Sequence, residues 1–229
     1  AIQAVKLAAR DLQKHLKQMS GAELPIVTAP SPGVASRVYV GESQFTRELG
    51  FKPARFRTSG LEILAEKSYV ILVGPDKQRD PCPYGQTGAD SIYLGGSAIL
   101  GKTAARPEGF PSPGLRKWQE FCGYKFTTQH LDDHLGQLNQ SLQIHSNDDT
   151  GTWYAVAELL EQLGVRWYMP YEDGTVIPEK PTVTVAEQHL VKEAKFDRRE
   201  WCFYNAMRSD GEGLAWLKRL KAGNYNTIS

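Results

Sequence analysis

The chain has 229 residues, 41% of them hydrophobic, with 27 Lys plus Arg against 26 Asp plus Glu for a formal charge of +1. That length and composition support one large or two small domains around a real core, and the balanced charge gives no electrostatic reason to expect nucleic acid or an anionic membrane as partner. No apolar run approaches the ~20 residues of a membrane span, and no basic leader with an apolar core opens the sequence.

The opening Ala1-Ile2-Gln3-Ala4-Val5 lacks an initiator Met and enters helical periodicity at once, which predicts that a segment upstream has been removed. Residues 1–20 predict an amphipathic helix with Ile2, Val5, Ala9, Leu12, Leu16 and Met19 on one stripe and Gly21 closing it. Extended segments are expected at Leu24–Thr28 and Arg37–Val40, on either side of the Pro30-Ser31-Pro32-Gly33 turn cluster, with a helical turn near Thr46–Leu49. Gly60–Ala65 and Tyr69–Val73 read as a hairpin about the polar Glu66-Lys67-Ser68.

Periodicity then breaks down over residues 75–147, where Pro75, Pro81, Pro83, Pro107, Pro111 and Pro113 mark a loop-rich insertion. Its aromatic residues Trp118, Phe121, Tyr124 and Phe126 would be costly to leave in water, so it is expected to pack back on the domain. Leu138–Ile144 offers one further strand. Cys82, Cys122 and Cys202 are odd in number and lack a C-x-x-C pairing, which argues against structural zinc and leaves both a Cys82–Cys122 disulfide and three unpaired thiols open.

The segment Asp148–Pro170, DDTGTWYAVAELLEQLGVRWYMP, reads as a loop, a capped helix and a strand. Asp149 or Thr150 is placed to cap the helix, whose apolar residues Trp153, Val156, Ala157, Leu160 and Leu163 recur at helical spacing. Gly164 ends it, and a strand follows over Val165–Met169. With its G-T-x-Y-A-V and L-E-x-L-G-V-R-W-Y-x-P patterns, this segment resembles the end of the N-terminal domain of family 67 alpha-glucuronidases and the related accessory domain of family 20 beta-hexosaminidases. The resemblance extends to Met19-Ser20-Gly21-Ala22-Glu23-Leu24-Pro25-Ile26 and to Val38-Tyr39-Val40-Gly41, about two thirds of the chain in all, and none of these motifs carries a catalytic residue of those families.

Past Pro170, short strands are expected at Thr175–Ile177 and Thr182–Val185. Phe196–Tyr204, Leu214–Lys221 and Asn224–Ser229 then follow a strand, helix, strand order. By resemblance, they are the start of a (β/α)8 barrel that breaks off about one and a half units in. The expected fold is therefore α+β, a mixed sheet with two helices on one face over residues 1–187, followed by an incomplete barrel over residues 188–229.

Several side chains are candidates for chemistry. His130 and His134 stand at i and i+4 with Asp132 and Asp133 between them, the spacing of a zinc helix, but Leu131 stands where a water-activating Glu belongs, so no metal site is assigned. Asp148-Asp149-Thr150 is read as a cap rather than an anion cradle, because its aspartates already supply the negative charge. In Arg166-Trp167-Tyr168 strand alternation sets Trp167 opposite its neighbours, as a core residue. Lys218-Arg219-Leu220-Lys221 is read as a solvated helix face.

In family 20 enzymes a P-x-F-x-x-R pattern opens the barrel with an Arg that holds sugar hydroxyls. Here the resemblance points to Arg199, with Arg198 as the alternate because Ala194 replaces the Pro. A guanidinium suits the role, its fixed fork of donors matching vicinal hydroxyls or a uronate, although a structural ion pair is the competing reading. The resemblance implies an accessory domain of a carbohydrate-active hydrolase, exported, with an oligo- or polysaccharide as partner through the complete barrel and no cofactor. Only Asp197, Glu200, Asp210 and Glu212 are acidic in the barrel-like part, so the chain alone is expected to be inactive. The alternative is a binding or surface module without catalysis.

Overall fold

The computed structural model describes residues 2–56, 59–77, 138–139, 141–145, 148–195, 199 and 211–222. Contacts divide the chain into one compact unit of Ala1–Gln78 with Asn139–Ser229 and a second of Arg79–Leu138. The expected insertion lies almost wholly outside the described residues, as do its aromatic cluster, the three cysteines, His130 and His134. The described elements belong to the first unit, apart from Leu138 at its border.

That unit is α+β. Its elements are α1 (Gln3–Ser20), β1 (Arg37–Val40), α2 (Gln44–Glu48), β2 (Gly60–Glu66), β3 (Tyr69–Val73), β4 (Asp76–Lys77), β5 (Leu138–Asn139), β6 (Ile144–His145), β7 (Asp149–Thr150), α3 (Gly151–Gln162), β8 (Arg166–Trp167), β9 (Thr175–Val176), β10 (Gln188–Glu193) and α4 (Gly211–Arg219). Four strands form a mixed sheet in the order β1-β3-β2-β10. The β1 and β3 strands are parallel, Arg37 opposite Tyr69 and Val40 opposite Leu72, whereas β2 runs antiparallel to both β3 and β10.

Strand alternation sorts the side chains between two faces. Leu61, Ile63 and Leu72 join one core with α1, α3 and α4, helped by Val40, Val70 and Leu190. Ile71 and Val73 point the other way, where Phe51, arriving after α2, covers them beside Tyr39, Leu64 and Tyr69. The α2 helix is held by a capping box in which the Ser43 and Thr46 side chains satisfy each other's backbone N–H.

The α1 helix ends as expected, with Gly21 at φ 78° donating its N–H to the Lys17 carbonyl. Its buried stripe is rotated from the expected one and runs through Ala4, Ala8, Asp11, Leu12, His15, Leu16 and Met19. Two polar residues thus stand in the core, while Val5 and Ala9 are only half-buried. Every residue of α3 from Gly151 to Leu160 is buried, the mark of a central helix rather than an amphipathic one. It packs against α1, α4, β2 and β3.

Several strand expectations need correction. Leu24–Thr28 forms no strand and is exposed throughout, and among the described residues no strand pairs with it. Thr182–Val185 also forms none; Val183 and Val185 pack on the core, but the fourth strand of the sheet is the next segment, Gln188–Glu193, so the sheet extends past residue 187. Leu138–Ile144 is split, with a turn at residues 141–143 between β5 and β6 and Gln143 at φ 55°. The Val165–Met169 strand shortens to β8, which pairs with β9.

The solvated reading of the basic run near 218 is overturned. Lys218 is 0% and Arg219 6% exposed, and Leu214, Trp216 and Leu217 are buried in the main core. Each charge there has an internal partner, which is the condition for burying it.

Candidate functional site

A polar network crosses the core between α1, α3, β8 and α4. The Asp11 carboxylate accepts three hydrogen bonds, from Arg219 Nε at 3.0 Å, Arg219 Nη2 at 2.8 Å and Trp153 Nε1 at 2.8 Å. The Arg219 contact is bidentate, the strong geometry for this pair. Burial by itself would raise the carboxyl's pKa, but the Arg219 charge and hydrogen bonds, with smaller help from His15 and Trp153, outweigh it and hold the group below its ordinary 3.8.

Neighbouring groups determine the protonation of His15. Its Nδ1 lies 2.7 Å from the Asp11 backbone carbonyl, which can only accept, so Nδ1 carries the hydrogen. Trp167 Nε1, which can only donate, lies 3.1 Å from Nε2, so that nitrogen accepts. The ring is therefore neutral, in agreement with burial holding its pKa below 6.5 against the raising effect of Asp11. Trp167 meets His15 edge-on, and its backbone carbonyl accepts from Trp216 Nε1 at 3.1 Å.

Above this network lies a cavity of about 270 Å³, whose walls include Lys14, His15, Tyr171, Glu172, Glu212 and Arg219. Its charges stand in opposed pairs, Lys14 with Glu172 at 3.5 Å and Arg219 Nη1 with Glu212 at 4.0 Å. Tyr171 stands at φ 71° and ψ 175°, a backbone region that L residues other than glycine rarely occupy, and is 54% exposed.

The start of α3 is built by distant residues. Thr150 precedes the helix and makes no side-chain cap; the capping carboxylate is Asp76, which accepts from the Thr152 N–H at 3.0 Å and from the Thr152 hydroxyl. Burial pushes Asp76 up to about 6, the Thr152 bonds opposing and Asp149 assisting. The Gly151 N–H donates to the Pro75 carbonyl at 3.0 Å, and a Cβ on Gly151 would lie 2.5 Å from Pro75 Cδ. Gly74 is equally constrained, its missing Cβ falling 2.4 Å from the Gly151 carbonyl carbon.

Arg199 lies apart from the cavity walls. Its Nε donates to the Lys221 carbonyl at 2.8 Å and its guanidinium carbon is 5.8 Å from the centroid of the buried Tyr154 ring. Arg198, Asp197, Glu200 and Asp210 lie outside the described residues. Trp167 is a core residue, 5% exposed, with Arg166 and Tyr168 turned outward. Among the described residues no cluster of three or more His, Cys, Asp and Glu could hold a metal, and no helix is long and apolar enough to cross a membrane.

Sequence reasoning missed Asp11, His15, Arg219 and Asp76. For the first two a signal existed, since polar residues at positions 11 and 15 interrupt the stripe Ala4, Ala8, Leu12, Leu16 and Met19 at helical spacing. Comparison with family models, with curated proteins and with solved structures gives no match.

Proposed function

We propose that the chain is a non-catalytic accessory module of a carbohydrate-active glycoside hydrolase, exported, with an oligo- or polysaccharide as partner of the whole enzyme. The observation that carries this reading is the Gly74–Gly151 crossing. It gives the G-T-x-Y-A-V pattern a physical cause, because only a glycine lets the start of α3 approach the chain after β3 this closely. A resembling motif whose residues have a structural duty in an α+β sheet with helices on one face is a better guide than a chance match. Arg199 is the residue we propose for gripping sugar hydroxyls in the complete enzyme.

Two measurements test the reading together. Purified chain incubated with aryl glycosides, glucuronyl oligosaccharides and hexosaminides should release no product, since hydrolysis needs two carboxyl groups ~5–9 Å apart across the scissile bond. The coding sequence around this segment should encode further strand–helix repeats bearing such acids. Turnover by the chain itself, or a gene without those repeats, overturns the proposal.

A further inference from the structure

We propose that the cavity between α1, the β8–β9 turn and α4 is a binding site for one neutral sugar ring. This deepens the carbohydrate reading above and leans on it for choosing a sugar among neutral polyols. Lys14 and Arg219 stand against Glu172 and Glu212, and Asp11 already answers the Arg219 charge, so the walls carry no surplus positive charge that would favour an anion. The same pairs place donors beside acceptors, which suits hydroxyl groups because each both donates and accepts.

Arg219 is pre-set for this task. Two of its N–H groups are fixed on Asp11, which orients the guanidinium of this cavity-lining residue and sets Nη1 4.0 Å from Glu212. Tyr171 lines the cavity and is 54% exposed, and an aromatic ring is the kind of surface on which the C–H side of a sugar packs. Its backbone conformation is costly for any residue but glycine, and such cost persists in structures mainly where the side chain has a use. A volume of about 270 Å³ is close to the ~300 Å³ lower end of ligand pockets and suits one ring rather than an oligosaccharide.

The test is an amide chemical-shift titration of the chain with glucose, xylose and N-acetylglucosamine, with glucuronate, glucosamine and inorganic phosphate as charged comparators. At least one neutral sugar should shift the Lys14 and Thr175 amides saturably with Kd ~1–10 mM, the range of a small, open site. The comparators should bind at least about threefold more weakly. Tyr171→Gly should weaken binding by about tenfold, the scale of losing an aromatic anchor, with a Tm equal to or above that of the parent; Tyr171→Phe should keep binding. If Tyr171→Gly fails to fold, Glu172→Gln decides instead, with binding weakened at unchanged Tm.

Absence of saturable shifts with all three neutral sugars, tighter binding of phosphate or glucuronate, or full binding by the deciding variant overturns the site. A gene without a hydrolase removes the accessory-domain reading while a saturable, Tyr171-dependent shift leaves the site standing, so the two failures are distinguishable.

Discussion

Removing the Asp11 charge should cost more stability than any surface change, and removing its partner as well should restore part of it. The Asp11 and Arg219 side chains are 5% and 8% exposed and share two hydrogen bonds. Asp11→Leu leaves the guanidinium buried without its counter-charge, a loss of about 3–5 kcal/mol, against a total stability of about 5–15 kcal/mol for a domain. At about 2–4 °C per kcal/mol for a chain of this size, Tm should fall by about 6–20 °C.

Arg219→Met should cost a comparable amount, because the carboxylate then keeps Trp153 Nε1 as its main donor and takes up a proton more readily. In the double variant no charge is stranded, and what remains is the orphaned Trp153 N–H, about 1–3 kcal/mol. The double-mutant cycle should therefore show coupling of at least about 2 kcal/mol, measured by urea denaturation followed by circular dichroism. Losses below about 1 kcal/mol for both single variants, or a double variant as unstable as the two losses added, would refute the reasoning.

Gly151→Ala should destabilise by more than about 3 kcal/mol, since the added carbon would fall 2.5 Å from Pro75 Cδ and 2.6 Å from its nitrogen, an overlap that backbone must move to relieve; a melting curve unchanged within 1 °C would contradict it. Acid should act on the fold in two opposing ways, weakening it through His15 and strengthening it through Asp76. His15 has its folded pKa below 6.5, so the unfolded chain binds more protons and the stability it contributes, complete above 6.5, is lost as pH falls from there through the folded value. Asp76 has the opposite sign: its rise from 3.8 to about 6 means that stability is lost as pH climbs between those values, by no more than about 3 kcal/mol at about 1.4 kcal/mol per tenfold change in proton affinity. His15→Gln should flatten the loss of stability below pH 6.5, and Asp76→Asn should remove the loss on the rising side; denaturation midpoints across pH 4–8 that are identical for parent and variants would negate both.

Local signals determined α1, the hairpin of β2 and β3, and the course of α3, because helical spacing, a short polar turn and a closing glycine act within a few residues of each other. Gly21 and Gly164 stand at positive φ at the helix ends that their spacing predicts. Strand membership was less legible. The Thr182–Val185 alternation does turn its valines inward, yet a ladder also needs a partner edge at the right register, and β2 presents it to Gln188–Glu193 instead.

The partners within the polar core lay beyond sequence reasoning for the same kind of reason. Asp76 caps a helix that begins 75 residues later in the chain, and Asp11, marked locally only as a polar break in a buried stripe, meets Arg219 across 208 residues, so no local pattern identifies which groups pair. The packing of α4 against α3, together with the Asp11 carboxylate that α1 brings to Arg219, decides that Lys218 and Arg219 are buried. A charge can enter the interior only where its counter-charge and hydrogen-bond partners are already held in place, and that condition is a property of the tertiary structure.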